Sequence, residues 1–234
     1  MNPLRYWASC LFIFLCLLSF GARAQIVTIT EFTAGSSFNA QPLEIARGPD
    51  GNLWFTEFDR IGRITPAGVI TEFTAGISAA AGITDIVAGP DGNLWFSESG
   101  VNRIGRITPA GVVTEFSAGI NAFVIPYGVT VGPDGNLWFT GRYGDRTLRV
   151  TTAGVVTEYY GLTSPAQPSG IALGPDGNLW ITEVQGNRIA RLDTGFVPTV
   201  QFVPVPTLSG WAQAILGLLV LGCGVFARSR RRSG

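Results

Sequence analysis

Glu57, Glu98 and Glu183 each close the same short segment, Leu-Trp-Phe/Ile-Thr/Ser-Glu, at equivalent places in the chain. Carboxylate oxygens are what a hard cation takes, so three acids delivered by equivalent elements form a candidate oxygen-ligand site for Mg²⁺ or Ca²⁺. The remaining copy of the segment carries Gly141 instead. A structural reading competes. Arg60, Arg103, Arg146 and Arg188 follow a few residues later, and residues repeated at one position commonly make the same ion pair within each sheet. A second set, Glu72, Glu115 and Glu158, is expected to pair with Arg63, Arg106 and Arg149 across a hairpin. Asp50, Asp91, Asp134 and Asp176 occur singly with no second acid at Ca²⁺-loop spacing, which reads as turn chemistry.

Tyr127, Arg142 and Tyr143 depart from the repeated pattern and offer aromatic rings and a guanidinium suited to a sugar or peptide. Histidine is absent from all 234 residues, which removes a Ser-His-Asp arrangement and any imidazole base. Lysine is absent too, and no Gly-rich loop runs into Lys and Ser/Thr as a phosphate cradle would. No residue is assigned a catalytic role.

The elements that must position these side chains are repeats. Gly-Pro-Asp-Gly-Asn-Leu-Trp begins at Gly48, Gly89, Gly132 and Gly174, intervals of 41, 43 and 42 residues. Each unit reads as a strand, a Pro-Asp-Gly turn, a strand, a loop, a strand such as Arg-Ile-Gly-Arg-Ile, a Pro-Ala-Gly turn and a strand such as Val-Val-Thr-Glu-Phe. Four short strands per 42 or so residues is the period of a β-propeller blade. Alternation within each strand supplies a face to bury, and a single blade needs neighbours to cover both its faces. The expected fold is therefore all-β, a four-bladed propeller of four-stranded blades. Residues 27–32 match the fourth strand of the unit with no blade before them, and the last copy ends after its third. The N-terminal strand is thus expected to complete the last blade and close the ring, removing two sheet edges. Residues 196–203 are a poorer donor because of Pro198. An open arc, or two arcs paired into eight blades, are the alternatives to closure. The Pro-Asp-Gly and Pro-Ala-Gly rim barely varies between copies, so function is expected on the opposite, varied rim.

The two ends read differently. Arg5, an apolar run over residues 11–20 and Ala22-Arg23-Ala24 form a signal-peptide pattern over residues 1–24. Residues 25–195 are the repeat domain and 196–204 a linker. Residues 205–234 carry a 17-residue uncharged stretch from Trp211, followed by Arg228, Arg230, Arg231 and Arg232. That length marginally spans a bilayer as a helix, and the arginines would hold its end in the cytoplasm. The three cysteines, Cys10, Cys16 and Cys223, lie only in these ends. Residues 25–206 hold 10 Arg against 16 acids, a balance of −6 that argues against nucleic acid as a partner.

The units GPDGNLWFTE and NRIGRITPAGVVTEF resemble the blades of the virginiamycin B lyase family. The resemblance implies seven blades and a lyase that opens a cyclic depsipeptide by elimination, using Mg²⁺ with histidine and glutamate. This chain departs from that pattern in its four blade copies and its lack of histidine. Val205, Pro206, Thr207, Leu208, Ser209 and Trp211 are similar to an IPTL-type C-terminal sorting signal. That likeness implies an exosortase-like processing enzyme as partner, alongside signal peptidase and, before processing, the inner membrane.

The function expected from the sequence is an exported, envelope- or surface-directed propeller that binds a glycan or peptide and needs no cofactor. The alternative is a Mg²⁺-dependent lyase using carboxylates.

Overall fold

A computed structural model describes residues 28–33 and 40–195. The leader, the linker, the sorting motif and the arginine cluster expected from the sequence lie outside the described residues. Within them the chain forms strands and no helix.

Fifteen strands make four antiparallel meanders. The first blade holds β1 (Ile45–Arg47), β2 (Leu53–Thr56), β3 (Ile61–Ile64) and β4 (Ile70–Phe73). The second holds β5 (Ile83–Ala88), β6 (Leu94–Glu98), β7 (Arg103–Ile107) and β8 (Val113–Phe116). The third holds β9 (Pro126–Val131), β10 (Leu137–Gly141), β11 (Arg146–Val150) and β12 (Val156–Tyr160). The fourth holds β13 (Pro168–Leu173), β14 (Leu179–Glu183) and β15 (Arg188–Leu192). In every sheet neighbours in sequence are neighbours in space.

The repeated turn has a local cause. Asp50 Oδ1 accepts the backbone N–H of Asn52 at 3.2 Å and the indole Nε1–H of Trp54 at 3.0 Å, so one carboxylate shapes the turn and fastens the first large side chain of β2. Gly51 takes φ of 81°, the left-handed conformation that the tight turn demands. Asp91, Asp134 and Asp176 hold Trp95, Trp138 and Trp180 in the same way.

Alternation along the second strand then gives each blade two unlike faces. Trp54 and Ile61 pack with Ile86, Leu94, Phe96 and Ile107 of the next blade. Trp95 and Ile104 pack with Val129, Leu137, Phe139 and Val150. A tryptophan face therefore always looks forward along the chain and a leucine–phenylalanine face looks back. The ends prove the direction. The tryptophan is 0%, 0% and 3% exposed in the first three blades and 40% in the fourth, whereas the leucine is 44% exposed in the first blade and 0% in the others.

The expected ring closure does not form. Among the described residues the fourth sheet has three strands, and residues 28–33 join no ladder; the competing donor, residues 196–203, lies outside them. The innermost strands β1, β5, β9 and β13 pack in succession, with no comparable packing from β13 back to β1 among the described residues. The side chains that fill each junction fix the wedge between neighbouring blades, and the three junctions of four blades leave an arc.

Candidate functional site

Glu57, Glu98 and Glu183 do not converge on one centre. They share the parity of Leu and Phe/Ile on their strands, so each sits on the backward face of its own blade, Glu98 and Glu183 at separate junctions and Glu57 in the groove at the open end of the arc. Glu183 is held by Arg188 Nη2 at 2.8 Å. Glu57 approaches Arg60 Nε at 3.4 Å without hydrogen-bond geometry, and both its oxygens, like both oxygens of Glu98, are buried without a hydrogen-bond partner. Burial, then the charge of nearby Glu72, raises Glu57 to about 7 despite Arg60. Burial, then the Glu115 charge, raises Glu98 to about 8 despite Arg103. Both groups therefore favour the protonated form, and no group of three acids able to hold a metal occurs among the described residues. The residues present do not fit a shared Mg²⁺ site.

The second set of glutamates pairs differently from expectation. Glu72 bonds Arg60, Glu115 bonds Arg103 and Glu158 bonds Arg146, rather than Arg63, Arg106 and Arg149. The reason is the period of two. Glu72 lies opposite Gly62, so Arg60 shares its face and Arg63 points to the other side. Arg63 instead places its guanidinium carbon 5.5 Å from the Trp54 ring centroid and 5.4 Å from that of Phe73, two rings stacked 5.2 Å apart. Its Nη1 donates at 3.1 Å to the Pro109 carbonyl of the next blade. Arg106 does the same with Trp95, Phe116 and the Thr152 carbonyl.

The varied rim gathers the residues that break the repeat. The Arg142 guanidinium carbon lies 4.2 Å from the Tyr127 ring centroid, a cation–π pair at the outer ends of β9 and β10. Tyr143, half-exposed, stands beside this pair. Backbone N–H groups of Arg142 and Tyr143 donate to the carbonyls of Ile125 and Val124, fastening the linker that enters the third blade. That linker is strained. Phe123 and Ile125 hold φ of 71° and 54°, a region L-residues avoid, and Phe123 is 82% exposed. Asn102 Oδ1, accepting the Ile125 N–H at 2.8 Å, ties the strained turn to the second blade. The expected ligand residues Tyr127, Arg142 and Tyr143 are thus neighbours on one rim, next to Phe123, which sequence reasoning missed. Its only signal was an aromatic residue in a linker. Nearby, Arg146 stacks 4.6 Å over Tyr160 and pairs with Glu158. The rim offers planar rings and guanidinium groups.

Residues 27–214 match the model of the virginiamycin B lyase family. A catalytically inactive histidine-to-alanine variant of virginiamycin B lyase from Staphylococcus aureus, with quinupristin, is 40% identical over 68% of this chain and 54% of that one, at a TM-score of 0.64. A selenomethionine-substituted form from the same organism gives 37% identity over 74% and 61%, at a TM-score of 0.68. A streptogramin B lyase structure gives 33% identity over 69% and 54%, at 0.64. The chain therefore spans little more than half the length of these solved lyases. No curated protein matches it.

Proposed function

The chain belongs to the virginiamycin B lyase family, and from that premise we propose that it is a binding member of the family, exported to the envelope, which holds a peptide ligand on its varied rim without cleaving it. One observation carries the reading. The solved lyase that lacks a single histidine is described as inactive and yet is held with quinupristin, and the present chain has no histidine anywhere. Loss of the imidazole removes proton transfer and leaves the contact surface in place. The Tyr127–Arg142 pair, Tyr143 and Phe123 are the surface we assign to the ligand. A flat ring with a guanidinium over it recognises amide planes and aromatic side chains at little conformational cost.

Export rests on the leader pattern of residues 1–24, and delivery to the surface on the motif from Val205 to Trp211 with the arginines behind it. The intact mass of the chain recovered from its own cells reports whether both ends are removed.

The binding reading is tested by calorimetric titration of quinupristin into the full chain. Saturable binding that needs no Mg²⁺, weakened about tenfold by Arg142→Ala, is expected from the loss of one desolvated cation–π contact. Binding untouched by Arg142→Ala and Tyr127→Ala alike would remove the rim from the account.

A further inference from the structure

The two ends of the arc are the two halves of a junction that the chain already makes three times. At its C-terminal end Trp180, Ile189 and Arg191 present a forward face that no other blade covers among the described residues: Trp180 is 40% and Ile189 62% exposed, where their counterparts Trp95 and Ile104 are completely buried. At its N-terminal end Leu43, Ile45 and Leu53 present the backward face. Leu43 and Ile45, with Phe32, Phe55 and Ile64, line a groove of about 580 Å³ there.

We propose that the occupant is a second copy of this chain, docked head to tail, so that the forward face of each copy covers the backward face of the other and two arcs close as an eight-bladed ring. Eight blades lie within the range of closed propellers.

Three features of the ends correspond to contacts that recur at two of the three internal junctions. First, the arginine between Trp and Phe reaches a carbonyl of the following blade: Arg63 takes Pro109 and Arg106 takes Thr152. At the third junction Arg149 bonds Asp134 of its own blade and lines a pocket with Leu192, Asp193 and Thr194 of the fourth. Arg191 is in the same position as those arginines, its guanidinium 4.0 Å from Asp176, and in the ring it would take the Pro66 carbonyl of the second copy.

Second, Thr140 Oγ1 donates to the Ser169 carbonyl of the next blade at 2.7 Å, and Ser97 Oγ donates likewise to Tyr127. Their counterpart Thr182 accepts the Gly170 N–H at 2.8 Å and donates to the carbonyl of that same residue, in its own blade, at 3.4 Å. The matching acceptor in a second copy is the Leu43 carbonyl.

Third, the ring of the phenylalanine that ends a fourth strand lies over a turn glycine of the next blade: Phe73 over Gly111 and Phe116 over Gly154. Phe32 lies over Gly68 in the same way. The N-terminal segment already occupies the place of the fourth strand of a blade that precedes the first. The blade short of that strand is the fourth, whose β15 pairs only with β14 among the described residues. In the ring, residues 29–32 of one copy would add to β15 of the other, with Ile189 opposite Phe32 and Arg191 opposite Thr30, copying the register of Ile104 with Phe116 and Arg106 with Thr114. Each copy supplies the strand the other lacks, and no sheet edge remains.

A head-to-tail contact closes only if its rotation does, and otherwise grows into a filament. The test uses the full chain purified in detergent. Its mass in solution is expected to be that of two copies. Leu53→Asp and Trp180→Asp should each give single copies, and mixing the two variants should restore a pair, because one intact junction remains between them. A Thr30→Cys chain mixed with an Arg191→Cys chain, both without Cys10, Cys16 and Cys223, should form a disulfide linking position 30 to position 191 between chains. The Cα spacing of cross-strand pairs suits such a bond. A single copy at all concentrations, a larger open assembly, or a link that forms only within one chain when both substitutions are combined would overturn the proposal.

Discussion

Glu98 and Arg103 are directly opposite in the register of β6 and β7, yet the Arg103 guanidinium bonds Glu115 and leaves both Glu98 oxygens without a hydrogen-bond partner. Burial, reinforced by the charge of Glu115 and only partly offset by Arg103, leaves Glu98 with its proton to about pH 8.

The sign of the resulting pH dependence follows. The folded value lies above the ordinary 4.5, so the native chain holds a proton that the unfolded chain releases. Stability is full below 4.5 and falls as pH rises from there to about 8, with Glu57 adding to the fall up to about 7. Glu98→Gln, which keeps the shape without the charge, should stabilise the protein at pH 8 by about 1–3 kcal/mol and be nearly neutral at pH 5. Thermal melts at the two pH values check it, and an equal gain at both would contradict it.

Asp91 should matter more than an exposed turn residue ordinarily does. Its carboxylate accepts from the Asn93 backbone and side chain and from the Trp95 indole, and the indole is fully buried in the junction with the third blade. Asp91→Ala strands that N–H in an apolar cluster, and the expected loss is about 1–3 kcal/mol in urea unfolding at pH 7. Although burial pushes Asp91 up, these bonds hold its carboxyl below the ordinary range. The same loss should fade in acid, as pH drops through that lowered value and the carboxylate is protonated.

Gly105 is constrained by close approach rather than by a turn. The Phe96 ring lies over it, and a Cβ there would run into ring atoms of a side chain with no exposure and no room to move. Gly105→Ala should cost about 1–3 kcal/mol by overpacking. The third blade shows the alternative solution, with Leu148 opposite Phe139. A neutral Gly105→Ala would mean that the second and third blades pack interchangeably.

The blade period, the turn and the all-β class were legible in the sequence because Pro-Asp-Gly and strand alternation are local. The bond from Asp50 to Trp54 was hidden in that same motif, four residues apart, and counting the turn as chemistry of the backbone alone missed it. The pairing of Glu72 with Arg60 rather than Arg63 was also within reach, since parity along β3 decides it. Closure was not. The angle between blades comes from the volume of Trp54, Phe96, Leu94 and their counterparts packed together, which no periodicity records. The rim was legible only as residue types. That Tyr127 and Arg142 stack depends on the course of the strained linker at Phe123 and Ile125.

Binding without elimination is tested most directly by the fate of quinupristin itself. Elimination would give a linear isomer of unchanged mass, so the reaction is followed by chromatographic retention, with excess chain and Mg²⁺ present. The account predicts that all of the quinupristin is recovered as the cyclic compound after prolonged incubation. Steady appearance of the linear isomer, stopped by Glu98→Ala, would contradict it.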